Sequence, residues 1–175
     1  MNFSKITKNL LIFFTFYFYL FPITTHAEAP IAVFKDWTVF TTTQNNKEIC
    51  YIASLPFKKD GNYKSRGEPF LTVTRIFDSN FDEVNVSSGY PYKKEKDVEI
   101  SIGKRKFVLF SHEEKAWAYN RSDDMAIVEQ MKKGVKLKVT GYSQLETYST
   151  DTYSLLGFTE AYEEMLFLCK PEEKK

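Results

Sequence analysis

The sequence contains few of the side chains on which metal sites and proton-transfer catalysis most often depend. It has two histidines and two cysteines in 175 residues. His26 lies in a segment that we expect to be removed, which leaves His112 as the one histidine of the mature chain. One histidine and an oxidised cysteine pair cannot supply the four ligands of a tetrahedral zinc site. We therefore predict neither a metal nor a cofactor.

An excess of charge of either sign is also missing. The chain carries 24 lysines and arginines against 23 aspartates and glutamates. Two of the lysines, Lys5 and Lys8, belong to the segment expected to be removed, so the mature net charge is −1. A nucleic-acid-binding domain normally shows a basic excess on one face. The composition therefore gives no support for a nucleic-acid partner.

The first 27 residues have the three parts of a signal peptide. A positive start is followed by the short apolar run 10–23, and Thr25-His26-Ala27 places small residues where a signal peptidase reads them. The alternative is an uncleaved membrane anchor, but a spanning helix needs about 20 apolar residues and this run stops at Pro22. We predict cleavage after Ala27, export to the periplasm or cell surface, and no integral membrane segment in the mature protein.

Removal of those 27 residues leaves 148, a length suited to one domain, which we place at 28–170 with a flexible tail at 171–175. Its two cysteines, Cys50 and Cys169, are even in number and belong to an exported protein, which indicates one disulfide. The alternative, two free thiols with a redox role, has no C-x-x-C spacing to support it.

Alternating apolar residues and frequent turn residues predict a mainly β, antiparallel fold. The clearest hairpin spans Val98 to Phe110, with Gly103 reversing the chain at positive φ. The returning run FVLF is apolar at every position, which predicts a central strand covered on both faces. A further strand is predicted at 34–40 and the last one at 153–158. The segments 58–67 and 141–152 are predicted to be polar connections.

Two helices are predicted near the carboxyl end of the chain. The first, 122–133, has Ser122 as its expected cap, Met125 on its buried face and Gly134 as a left-handed stop. The second runs from a cap at Thr159 to Cys169, because apolar residues recur there at helical spacing.

Catalysis has little support. His112 lies in the charged segment SHEEK, with no G-x-S-x-G nucleophile signature in the chain. The acidic pairs 113–114, 123–124 and 163–164 are sequence neighbours, which do not face each other across a cleft as glycosidase carboxylates do. We predict no catalytic residues.

Tyr90 and Tyr92 in SSGYPYKKEK are the candidate partner contacts, because exposed aromatic faces beside lysines suit a protein or glycan partner. The alternative is a turn that leads into the next strand with both tyrosines half-buried.

Seven segments, in order, resemble the invasion-associated locus B family of exported bacterial proteins. They cover nearly the whole mature chain: FKDWTVF (34–40), CYIASLP (50–56), SSGYPYKK (87–94), SIGKRKFVLF (101–110), AWAYN (116–120), DDMAIVEQMKKG (123–134) and DTYSLLGFTEAYEEMLFLC (151–169). The resemblance implies an immunoglobulin-like β-sandwich, an origin in a Gram-negative bacterium, and a link to entry into host cells. It implies no enzyme activity. Many family members carry further cysteines near the first strand, and this chain departs from that pattern.

These observations together predict an exported, non-catalytic binding protein of the bacterial envelope or surface. The alternative is a periplasmic housekeeping protein, such as an envelope-stability or chaperone-like factor, with no role at a host cell.

Overall fold

The computed structural model describes residues 29–44, 47–76 and 81–170. The predicted signal peptide and the predicted tail at 171–175 lie outside these residues. Within them the chain forms eleven strands and two helices: β1 (Ala32–Phe34), β2 (Trp37–Gln44), β3 (Lys47–Ser54), β4 (Lys58–Gly61), β5 (Phe70–Ile76), β6 (Glu83–Ser87), β7 (Val98–Ile102), β8 (Arg105–His112), β9 (Lys115–Ala118), α1 (Arg121–Lys133), β10 (Lys136–Tyr142), β11 (Tyr148–Ser154) and α2 (Phe158–Leu168).

The strands form one antiparallel sheet in the order β1-β2-β3-β5-β6-β9-β8-β7-β10-β11-β4. The sheet curves until its two ends approach each other. The Trp37 indole on β2 donates to the Ser154 carbonyl at the end of β11 over 3.0 Å. One apolar core fills the space between the two halves. The predicted mainly β, antiparallel sandwich with two helices is confirmed.

The hairpin of β7 and β8 shows how the sequence pattern produces a half-buried sheet. Val98, Ile100 and Ile102 point into the core, while Glu99 and Ser101 point outward. Gly103 takes φ +59° at the turn, as predicted. The prediction for the returning strand is wrong: Leu109 is buried, but Val108 and Phe110 are 47% and 39% exposed. An unbroken apolar run does not reveal that one of its faces meets solvent.

Three segments have a secondary structure that differs from the prediction. The strand predicted at 34–40 is divided by a turn in which Lys35 has φ +55°. The polar segment 58–67 contains the edge strand β4, and the span 141–152 contains most of β11. These polar residues form strands because β11 pairs with β10 on one side and with β4 on the other.

The first helix begins one residue earlier than predicted, and a different residue caps it. The Asn120 side chain accepts a hydrogen bond from the Asp123 N–H over 3.0 Å, so Ser122 is not the cap. Met125 is 57% exposed, whereas Ile127 takes the buried position that was expected for Met125. Gly134 is extended (φ −88°, ψ 167°) rather than left-handed, because the chain passes directly into β10.

The second helix packs on β1, β2 and β3 and is joined covalently to the sheet. It follows Gly157, so Thr159 is inside the helix and does not cap it. Phe158 contacts the Trp37 ring edge to face, with centroids 4.9 Å apart. Cys169, directly after the helix, forms a disulfide with the buried Cys50 of β3. The last helix is thereby fastened to an early strand.

Candidate functional site

Three aromatic rings lie side by side on the outer face of β8 and β9. Phe110 and Trp117 are directly opposite each other in the strand register, and their rings stack with centroids 5.7 Å apart. Tyr119 follows β9, and its ring is 5.6 Å from that of Phe110. Phe110 is 39% exposed and Tyr119 56% exposed. We call Phe110, Trp117 and Tyr119 the aromatic platform.

The alternation of β9 explains why these rings face outward. Ala116 and Ala118 occupy the inner face and are buried, so the large residues of the segment fall on the opposite face. On β8, Leu109 occupies the inner face in the same way. Since α1 packs against the β6, β8 and β9 side of the sandwich, small inner residues on β9 suit its close approach. Strand alternation therefore fixes the platform on rigid elements.

A group of cations lies beside the platform on the same outer face. Lys138 on β10 is opposite Ser101 on β7, and Ser101 is opposite Lys106 on β8, so the two lysines share one row across three strands. Lys104 extends this group at the exposed hairpin turn, whereas Arg105 pairs with the buried Ile102 and falls on the other face of β8. We call Lys104, Lys106 and Lys138 the basic rim.

The carboxylates on this face are mostly engaged within the protein. Glu99 pairs with Lys106 at 3.1 Å, and Asp97 accepts a 2.7 Å hydrogen bond from the Tyr119 hydroxyl, which raises the pKa of that tyrosine. In the described part of the chain, no carboxylate lies within ion-pair distance of the Lys104 or Lys138 side chains. Lys104 and Lys138 are therefore cations of this face without a carboxylate partner there, while Asp97 keeps its negative charge because the Tyr119 hydroxyl is neutral.

An open groove of about 520 Å³ passes over the platform. Phe110 and Trp117 form its apolar part, and Glu83, His112 and Asp124 lie at its margins. Asp124 is buried and accepts a hydrogen bond from the Val84 N–H over 2.8 Å. Burial raises the pKa of Asp124 to about 6, although the Val84 N–H opposes the shift.

Tyr90 and Tyr92 do not lie on this face. They are 8% and 3% exposed, and their rings contact each other edge to face. The Tyr90 hydroxyl is 2.7 Å from the Ser149 hydroxyl, and that of Tyr92 is 2.7 Å from the Ser88 hydroxyl. Burial raises the pKa of both tyrosines. A partner contact at these positions requires exposed rings, but both rings are packed in the core.

A charged pair lies next to these tyrosines in the interior. Arg66, from the segment predicted to be a polar connection, reaches Asp151 of β11 with both terminal nitrogens of its guanidinium. The Arg66 and Asp151 side chains are 3% and 0% exposed. Burial lowers the pKa of Arg66, but the hydrogen bonds and attraction of Asp151 outweigh burial and raise it. We interpret the pair as structural, since it is closed to solvent.

The residues considered for catalysis are not brought together. His112 is exposed at the end of β8. Asp123 engages the cap residue Asn120, while Asp124 is buried beside β6. Across residues 29–44, 47–76 and 81–170, no cluster of three or more histidine, cysteine or acidic side chains could hold a metal ion.

A second groove, of about 440 Å³, lies beside β2 and β3. It is lined mainly by apolar and small residues, with Lys35 and Asp36 at its margin. One cation and one anion leave no net charge there to specify a partner. We therefore take the aromatic platform and the basic rim as the candidate site.

Sequence reasoning missed the platform because it assigned the whole FVLF run to the core. A signal was present in AWAY, where alanines alternate with aromatic residues. Such alternation indicates that one face of the strand has room only for small side chains. The other face must then carry the large rings, whether or not another layer covers them.

The described residues define a disulfide-linked, mainly β sandwich protein that presents aromatic and basic side chains on an open sheet face. No helix in the described part of the chain is long and apolar enough to cross a membrane. The chain belongs to the invasion associated locus B (IalB) protein family, which it matches over residues 37–166.

A solved structure agrees with the family assignment at the level of the fold. The crystal structure of invasion associated protein B from Bartonella henselae is similar with a TM-score of 0.56 and 14% sequence identity. The match covers 78% of this chain and 95% of that chain. A comparison with curated proteins finds no match.

Proposed function

We propose that the chain is an exported, non-catalytic binding protein of the bacterial envelope or surface, and that the outer face of β8 and β9 is its contact surface. The observation that carries this proposal is the aromatic platform. Phe110 and Tyr119 are exposed beside the half-buried Trp117, and aromatic side chains of this kind are strong contact residues because they bury a large area and lose little conformational freedom.

Export is supported by two independent features. The first 27 residues have the composition of a signal peptide, with cleavage proposed after Ala27. The disulfide between Cys50 and Cys169 is of the kind that persists in an oxidising compartment. Mass spectrometry of the protein recovered from the periplasm and from the culture medium measures both points: the proposal requires a chain that begins at Glu28.

Site-specific photocrosslinking tests the contact surface. A benzophenone amino acid at Tyr119 is expected to capture a partner on living cells, since that ring is 56% exposed. The matched control is the same probe at Phe167 of α2, which is 66% exposed but lies away from the platform. Equal capture from both positions, or none from Tyr119, would contradict the proposal.

The names of the family and of the Bartonella protein refer to invasion, so we propose contact with a host cell as the setting. A deletion strain separates this role from envelope housekeeping. Reduced entry into host cells with normal resistance to detergent and osmotic stress supports a host role. Stress sensitivity with normal entry assigns the protein to envelope maintenance instead.

A further inference from the structure

We infer that the outer face of β7, β8, β9 and β10 binds an acidic glycan, whose sugar rings stack on the aromatic platform and whose anionic groups pair with the basic rim. This inference rests on the proposed function and names the chemical class of its partner.

The basic rim selects an anionic partner. Lys106 has the one ion pair found for the rim in the described part of the chain, and its side chain is still 68% exposed. Lys138 lies two strands away in the same row, roughly 10 Å from Lys106 across the sheet. Glu99 compensates Lys106, and Asp97 keeps its charge beside the Tyr119 hydroxyl, so among the described residues Lys104 and Lys138 are the rim cations with no carboxylate within ion-pair distance. The remaining positive charge attracts an anion with charge-assisted hydrogen bonds.

The platform selects a partner with flat apolar faces. One face of a pyranose ring presents C–H groups, which pack on an aromatic ring as other apolar groups do. Phe110 and Lys106 are four residues apart on β8, so their Cα atoms are about 13 Å apart. That separation is longer than one sugar ring. A chain of several rings can therefore contact platform and rim together.

The backbone of this face is closed to a peptide that would add a strand. β8 is paired with β7 and β9, and β9 is paired with β8 and β6, so the central strands offer no free edge. Glu83 and Asp124 at the margin of the groove can accept hydrogen bonds from the hydroxyl groups of a glycan.

Binding of the mature protein to matched polymers tests the inference. Polygalacturonate and dextran sulfate are the acidic probes, and methyl-esterified polygalacturonate and dextran are their neutral counterparts. We expect each acidic polymer to bind at least about tenfold more tightly than its counterpart, with an affinity that falls as salt is raised. Polyglutamate and a single-stranded thymidine oligonucleotide control for charge alone. Tight binding of either control, or no binding of both acidic glycans, would overturn the inference.

Variants then place the glycan on this face. Phe110→Leu keeps an apolar side chain but removes the ring, and we expect about tenfold weaker binding to the acidic polymers. Lys138→Gln is expected to weaken binding and to reduce its salt dependence. Phe167→Leu and Lys133→Gln are matched changes at exposed positions on α2 and α1, and both should leave affinity unchanged. Equal losses from the controls would contradict the assigned face.

The outcome is separable from that of the proposed function. Capture of a protein by the probe at Tyr119, without binding of any acidic glycan, overturns the glycan inference and leaves the contact surface in place. Failure of both experiments overturns both.

Discussion

Arg66 and Asp151 form a bidentate ion pair in the interior, although they are 85 positions apart in the chain. The Arg66 guanidinium also donates to the Ser88 carbonyl over 2.8 Å and to the Tyr63 hydroxyl over 3.2 Å. The pair therefore connects the loop before β5, the segment after β6 and strand β11. A buried charge of this kind is tolerated only while its partner stays in place.

We expect Asp151→Asn to destabilise the fold by about 3 to 5 kcal/mol, because the Arg66 charge stays buried without a counter-charge. Urea unfolding of the variant and of the wild type measures the difference. The double variant Arg66→Met/Asp151→Leu removes both charges and is expected to lose less than the sum of the two single changes. A loss below about 1 kcal/mol for Asp151→Asn would show that the pair is not important for stability.

The ion pair also marks the limit of what the sequence could predict. Local signals were sufficient for the Val98–Phe110 hairpin and for the existence of both helices, because periodicity and turn residues act over a few positions. Arg66 and Asp151 lie in segments whose polar composition suggested solvent exposure. Their burial depends on pairing between distant strands, which no local pattern encodes.

The candidate site was missed for a related reason. The apolar character of Phe110 was visible in the sequence, but its direction was not, since FVLF has large apolar residues on both faces. Tyr90 and Tyr92 show the reverse case: a Gly- and Pro-containing segment with neighbouring lysines suggested exposure, while the hydroxyls of Ser88 and Ser149 allow both rings to be buried.

The disulfide provides a second prediction. Cys50 and Cys169 are 119 residues apart in the sequence, and closing a loop of that length stabilises the fold by about 4 to 5 kcal/mol in the chain-entropy model. Reduction should therefore lower the urea midpoint and speed hydrogen exchange at the Cys169 amide, which donates to the Met165 carbonyl.

The double variant Cys50→Ala/Cys169→Ala is the control, and we expect it to unfold as the reduced wild type does. Intact mass before and after reduction should differ by two hydrogens. Uptake of a thiol label by the unreduced mature protein would show that the two cysteines are not bonded.

Asp124 predicts how stability depends on pH. Its pKa is raised to about 6 in the folded state, above the usual value near 4, so the folded protein holds this proton more tightly than the unfolded chain does. The stabilisation that results is present at low pH and is lost as pH rises from about 4 to about 6. Asp124→Asn keeps an oxygen that can accept the Val84 N–H but does not ionise.

We therefore expect the unfolding free energy of Asp124→Asn, relative to the wild type, to increase by about 1 to 2 kcal/mol between pH 4 and pH 7 and then to level off. Asp124 lies in the first turn of α1, where the helix dipole favours the ionised carboxylate, and this limits the size of the change. Urea unfolding at several pH values measures it. If the difference in unfolding free energy between Asp124→Asn and the wild type stayed constant from pH 4 to pH 7, the raised pKa of Asp124 would be contradicted.

Gly157 and Gly103 form a matched pair for the last prediction, because both have positive φ (+84° and +59°) but different surroundings. A Cβ at Gly157 would lie 2.0 Å from the Phe34 carbonyl oxygen, whereas nothing lies within 4 Å of a Cβ at Gly103. Gly103→Ala should therefore cost only the strain of the left-handed backbone, about 1 to 2 kcal/mol. Gly157→Ala should cost about 2 to 4 kcal/mol, because β1 and the start of α2 must also move apart. Thermal and urea unfolding of the two variants compare these losses directly, and equal losses would show that the contact between β1 and α2 adjusts without cost.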